Sequence, residues 1–100
     1  MGKIRRLVLD VLKTHDPNII ELAAKLSQLP GIDSVNISIY EIDLKVENAK
    51  ITLEGTDIDY PEVVKSIAQD GGAVHSIDEA VAGKAIIDDA QTLQDPQGLS

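Results

Sequence analysis

Six polar side chains are spaced so that they could bind a small ligand or a divalent cation: Asp10, His15, Glu54, His75, Ser76 and Asp78. Carboxylate and hydroxyl oxygens suit hard divalent cations, and two imidazoles with carboxylates suit zinc or nickel. The alternative is structural. The carboxylates then pair with Arg6 on a solvated or subunit-facing sheet, and each histidine is an isolated residue in a loop or at a strand end. We favour the structural interpretation of both groups.

Residues that the chain lacks exclude several chemistries. It has no cysteine, which excludes disulfides, thiolate catalysis, iron–sulfur clusters and cysteine-based zinc sites. Gly71 and Gly72 follow a predicted helix instead of preceding one, so they do not form a phosphate-binding loop. No serine lies in a nucleophile motif. We therefore predict a protein that is not an enzyme, with no identified cofactor beyond a possible divalent cation.

Composition also limits the partners. Nine basic and seventeen acidic residues give a formal charge of −8, which repels a nucleic-acid backbone or an anionic membrane. With only two tyrosines as aromatic residues, the chain offers no platform on which single-stranded bases stack. No segment resembles a signal peptide or approaches the roughly 18 apolar residues of a membrane span. We predict a cytoplasmic protein that binds neither nucleic acid nor membrane.

Two amphipathic helices are predicted to lie between the strands that carry the candidate residues. The first has apolar residues at helical spacing from Ile19 to Leu29, and we expect Asp16 to be its N-cap and Pro17 its first residue. The second begins at Asp59, which has a glutamate three residues further on, and stops at Gly71.

Alternating or continuous apolar runs predict four strands around these helices, at residues 4–12, 35–46, 51–55 and 73–77, with a hairpin turn at residues 47–50. Right-handed crossovers then give an α+β, ferredoxin-like βαββαβ sandwich. Its four-stranded antiparallel sheet has the order 4-1-3-2 and both helices on one face. We expect residues 1–87 to form this single domain and residues 88–100 to be a polar, disordered C-terminal tail.

The apolar positions change phase near the middle of the second strand. Residues 35, 37 and 39 are apolar and are followed by a row of apolar residues at even positions: Tyr40, Ile42, Leu44 and Val46. A strand with one buried face does not do this, so either a β-bulge lies near Ile39 or the strand projects beyond the core. We favour a projecting hairpin whose even row is an interface with another subunit.

Several strings of residues are similar to those of a known family. They are RRLVLDVLK at 5–13 with His15 and Pro17, VNI at 35–37, EID at 41–43, KITLEG at 50–55, and GGAVHSIDE at 71–79 followed by Gly83. Together they resemble the archaeal domain-of-unknown-function family 211 over residues 3–87. The resemblance implies a ferredoxin-like fold, ring-like homo-oligomers and an archaeal source, with no known activity. Thr14 and Ala80 stand where the family pattern has Pro and Val.

The function expected from these observations is a non-enzymatic, self-assembling binding or regulatory module. Sheet edges and the projecting hairpin would close a ring of identical subunits, with a possible small ligand or cation between them. The alternative is a divalent-metal-binding domain that uses carboxylate and histidine ligands.

Overall fold

Four strands and two helices follow one another in the predicted order, in a computed structural model that describes residues 2–88. The elements are β1 (Ile4–Thr14), α1 (Ile19–Ser27), β2 (Ile32–Ile42), β3 (Val46–Gly55), α2 (Tyr60–Gln69) and β4 (Gly72–Ala82). All neighbouring strands are antiparallel, in the order β2-β3-β1-β4. This confirms the predicted ferredoxin-like α+β fold. Of the predicted tail at 88–100, all but Asp88 lies outside the described residues.

Alternation along the central strand β1 separates a buried face of the sheet from a helix-free face. Leu7, Leu9 and Val11 point into the core, whereas the even positions between them, such as Arg6 and Asp10, point to the other side. Apolar residues of both helices and of β3 complete the same core: Leu22, Leu26, Val63, Ile67, Ala49, Ile51 and Leu53. Both helices therefore lie on one face of the sheet.

The helix starts are set by capping side chains. Asn18, not Asp16, is the N-cap of α1: its side-chain oxygen accepts from the Glu21 amide at 3.0 Å, and the Glu21 carboxylate accepts from the Asn18 amide. This reciprocal pair satisfies two amides at once and places the start two residues later than predicted. Asp59 caps α2 as predicted, accepting from the Glu62 amide.

The hairpin between β2 and β3 turns earlier than predicted, and the predicted turn at 47–50 is wrong. The turn comprises residues 43–45. The Asp43 carboxylate accepts from the Leu44 amide at 2.7 Å, and the Asp43 amide donates to the Val46 carbonyl at 2.8 Å. An aspartate that bonds the backbone just ahead of it is typical of a turn. Glu47 and the three residues after it belong to β3 and pair with β1.

Both edge strands contain irregularities in their pairing. In β2 the register shifts between Ile39 and Glu41, which leaves Tyr40 as an extra residue. The change of phase therefore arises at a bulge, the alternative that we did not favour from the sequence. In β4 the register against β1 shifts more than once, and His75 and Asp78 are the residues without a direct partner. Two of the candidate ligands therefore occupy bulges.

Within residues 2–88, neither helix is long and apolar enough to cross a membrane.

Replacing Leu9 with alanine tests the assignment of the core. The side chain is fully buried at the centre of the sheet, so Leu9→Ala is expected to lower the free energy of unfolding by about 2–5 kcal/mol. Urea denaturation at fixed protein concentration measures it. The control is Ile20→Ala, because Ile20 is 76% exposed on α1; its effect is expected within about 0.5 kcal/mol. Equal effects of the two changes would contradict the core described here.

Candidate functional site

The tip of the β2–β3 hairpin carries large apolar side chains that the described part of the chain leaves in solvent. Ile42 is 70% exposed, Leu44 92% and Tyr40 58%. The three do not share one face, because the bulge at Tyr40 changes the alternation. Ile42 lies opposite Glu47, on the side of the sheet that carries the helices, whereas Tyr40 lies on the helix-free face.

Val46, the fourth member of the predicted row, is on the returning strand. It is half-buried and lies opposite Thr14 at the end of β1. The exposed apolar side chains of the hairpin are therefore those of Tyr40, Ile42 and Leu44, and we call these three residues the hairpin surface. The turn that carries Leu44 extends beyond the last residue of β1.

Polar side chains line a shallow hollow on the helix-free face. Ser38, Lys50, Asp10 and Ser76 lie directly opposite one another across all four strands. The Tyr40 hydroxyl crosses this row and donates to Asp10, and the Ser76 hydroxyl donates to Asp78 at 2.7 Å. The hollow has a volume of about 350 Å³ and is lined by Asp10, Ser38, Tyr40, Lys50 and Asp78. The hydrogen bond that Tyr40 donates to Asp10 raises the pKa of Tyr40, because it favours the protonated phenol. The structure thus brings together three of the six candidate ligands: Asp10, Ser76 and Asp78.

Glu54 belongs to a different group on the same face. Its carboxylate accepts from Arg6 Nε at 2.8 Å, and Arg6 also bonds Glu79 at 3.2 Å and Asp88 at 2.9 Å. These carboxylates, Asp88 first, raise the pKa of Arg6. The predicted pairing of Arg6 with acidic residues of this face is confirmed for Glu54, so that carboxylate is already occupied by an ion pair.

His15 lies in a third group, where the hairpin joins the body of the sheet. Its Nδ1 is 2.8 Å from Glu47 Oε1, and its Nε2 is 3.0 Å from the carbonyl oxygen of Leu44. The other oxygen of Glu47 accepts from Lys13 Nζ at 2.9 Å, and Lys13 also donates to the Thr14 carbonyl. Lys13 is 1% exposed. A buried ammonium and an imidazole therefore share one carboxylate.

The two cations control the ionisation of this group. Hydrogen bonds from His15 and then Lys13 lower the pKa of Glu47, because both donors favour the carboxylate. Glu47, followed by the Leu44 carbonyl, raises the pKa of His15. The group thus favours an ionised Glu47 beside a protonated His15.

The two histidines do not meet. His75 is the extra residue of a bulge in β4, between the residues that pair with Asp10 and Val11 of β1. His15 follows Val11 by four residues, which is roughly 13 Å along a strand. Within residues 2–88, no three histidine, aspartate or glutamate side chains converge on a position that could hold a metal ion.

Sequence reasoning missed Lys13 and Glu47, although a signal for both was present. Lys13 continues the buried series of odd positions in β1, and Glu47 is in phase with Ala49 and Ile51 of β3. Two opposite charges, each in phase with a core row of a predicted strand, indicate a buried ion pair when the strands are neighbours.

The fold and these three groups define a ferredoxin-like α+β domain with a polar helix-free face and an apolar hairpin tip. The model of the domain-of-unknown-function family 211, described as "Uncharacterized ArCR", matches residues 5–96. An uncharacterised protein of the archaeon Methanocaldococcus jannaschii, MJ0319, is 53% identical over 95 residues, which cover 95% of this chain and 98% of that protein. The chain belongs to this family, as its sequence motifs predicted.

Removing one partner of the buried Lys13–Glu47 pair is expected to lower the free energy of unfolding more than removing both. Glu47→Leu leaves Lys13 buried without its carboxylate and should lower the free energy of unfolding by roughly 3 kcal/mol. The double change Lys13→Met with Glu47→Leu should recover most of that loss, because no unpaired buried charge remains. Urea denaturation measures both, and Glu54→Leu serves as the control, since that ion pair is partly solvated. A double variant less stable than Glu47→Leu would show that the pair itself stabilises the fold.

Proposed function

We propose that this protein is a non-enzymatic, cytoplasmic module that assembles into a ring of identical subunits through its hairpin surface. The observation that carries the proposal is the exposure of Ile42 and Leu44 on an ordered hairpin. A second copy is the simplest partner that would cover them, since large apolar side chains left exposed side by side on a hairpin tip favour an interaction site.

The hairpin is held in place, so its apolar side chains are presented in a fixed arrangement. The turn carries two bonds of its own, at Asp43, and the Leu44 carbonyl is additionally bonded to His15. A pre-ordered surface binds with little loss of conformational freedom. The amide and the carbonyl group of Leu44 are both hydrogen-bonded. Its side chain supplies the central contact of the proposed interface.

A ring is favoured over a two-fold dimer because the hairpin tip projects from one end of the sheet. When a projecting element docks on a different surface of the next copy, the contact is head-to-tail, and such contacts close into a ring if the rotation allows. Burial of two aliphatic side chains is worth about 1.5–3 kcal/mol each. One such contact is weak, and ring closure adds the multivalency that makes a set of weak contacts stable.

The binding role is assigned to the hollow on the helix-free face. Asp10, Lys50 and Ser38 place a carboxylate, an ammonium and a hydroxyl in one row of the hollow, and Tyr40 connects that row to the hairpin surface. A small polar ligand between subunits would meet groups of both charges there. Contact with Tyr40 gives such a ligand a direct route to influence the hairpin.

Two glutamates on the hairpin surface are expected to prevent assembly. Ile42→Glu with Leu44→Glu should give monomers, because two carboxylates would have to be desolvated in the interface. Native mass spectrometry measures the subunit number, and circular dichroism checks that helix and strand content is unchanged. Lys65→Glu is the matched control: it also makes the charge more negative by two, at an exposed position on α2.

The control variant should retain the mass of the unmodified assembly. If the double variant keeps that mass as well, the hairpin surface is not the interface. If the unmodified protein is itself a monomer, assembly through the hairpin is wrong.

The alternative function, a divalent-metal-binding domain, draws on Asp10 and Asp78, the two carboxylates that line the hollow. His15 and Glu54 are bonded elsewhere, so a cation would need further ligands from a second copy. Metal analysis after purification without chelator distinguishes the two functions. We expect no stoichiometric divalent metal. One ion per subunit in the native protein, absent from Asp10→Asn, would replace the first proposal with this one.

A further inference from the structure

His15 connects the body of the sheet to the hairpin turn through both of its ring nitrogens. One nitrogen faces a carboxylate oxygen of Glu47 and the other faces the carbonyl oxygen of Leu44, at 2.8 and 3.0 Å. A carbonyl and an ionised carboxylate only accept hydrogen bonds. Both bonds therefore form together only when the ring carries two protons, as an imidazolium.

The charged groups around His15 come from four segments: β1, β3, the turn between β2 and β3, and the loop of His15 itself. Glu47 of β3 faces Nδ1, and Lys13 of β1 holds the second oxygen of that carboxylate at 2.9 Å. In the turn, the Asp43 carboxylate is bonded to the Leu44 amide, and Asp16 follows His15 in its own loop. Because the buried Lys13 remains paired with Glu47, loss of the proton from His15 leaves the core intact. The neutral ring keeps one N–H, and because the ionised Glu47 is a stronger acceptor than a carbonyl, that proton stays on Nδ1. The bond that is lost is therefore the one from Nε2 to the Leu44 carbonyl in the turn.

We propose that His15 is a proton-dependent latch on the hairpin turn, and that loss of its proton weakens the contact between subunits. The inference rests on the proposed function, since it assigns a regulation to the same hairpin surface. With the latch closed, the turn that carries Leu44 is fixed to the sheet. With the latch open, the turn loses its attachment to the sheet and its own hydrogen bonds open more often, so assembly has to order it again.

The sign of the pH dependence follows from the partners of His15. Because Glu47 and the Leu44 carbonyl raise its pKa, the latch is fully closed below the ordinary histidine value of 6.5. It opens as the pH rises through the higher pKa of the folded protein. The imidazole is 42% exposed, so water replaces part of the lost bond and the effect is graded.

The test uses the fact that the chain has only two histidines. The dissociation constant of the assembly is measured by sedimentation at about pH 6 and about pH 9, on either side of the titration of a histidine. It should be about five-fold higher at the upper pH, because that is the factor typical of one hydrogen bond. His15→Gln should remove this pH dependence. His75→Gln, the matched control, should leave it unchanged.

Two further readouts examine the latch without relying on assembly. The NMR titration of the His15 imidazole, identified by comparison with His75→Gln, should lie above 6.5. The hydrogen-exchange protection factor of the Asp43 amide, which bonds the Val46 carbonyl, should fall across the same pH range and be independent of pH in His15→Gln.

The outcomes separate the latch from the proposed function. An assembly whose dissociation does not depend on pH, or depends on it equally in His15→Gln, overturns the latch and leaves the interface standing. A monomer at every pH overturns the proposed function. In that case the His15 titration and Asp43 protection still decide whether the latch exists, and an unchanged Asp43 protection factor would overturn it.

Discussion

The Glu47 carboxylate is the point at which the core, the hairpin and the loop before α1 are connected. One oxygen neutralises Lys13, which the sheet buries, and the other holds His15, whose ring reaches the turn. Charges of this kind are stable in an apolar interior only when they are paired. The pairing therefore constrains β1 and β3 to one register, with Lys13 opposite Glu47. That register also sets where β3 begins and therefore where the hairpin tip lies.

Local sequence patterns predicted most of the fold because the features that determine it act over short distances. Alternation in β1, apolar spacing in the helices and the cap at Asp59 are each visible within a few residues. The turn was misplaced because Glu47 and Asn48 are polar and resemble turn residues in isolation. They are strand residues because a carboxylate at position 47 meets Lys13, 34 positions away along the chain, and no local pattern contains that pairing.

The candidate site was predictable where it depended on strand order and not where it depended on strand length. Asp10, Ser76 and Asp78 meet because β1 and β4 are antiparallel neighbours, which the order already implied. His15 and His75 remain apart because β1 continues to Thr14 and a bulge shifts β4. Of the four apolar residues predicted to form one row after Ile39, Tyr40, Ile42 and Leu44 are exposed and Val46 is half-buried. Their division between two faces depends on the conformation of one bulged residue, Tyr40.

The bulges in β2 and β4 also affect how copies of this chain can meet. Regular edge strands offer a row of free amides and carbonyls to any other extended chain, and irregular edges interrupt that row. Indiscriminate growth of the sheet from copy to copy is thereby disfavoured on both sides. In the proposed assembly, recognition would fall to side chains at the hairpin tip, such as Leu44, whose identity can vary without any change to the backbone. A few substitutions at the tip would therefore change the proposed assembly while the domain itself stays the same.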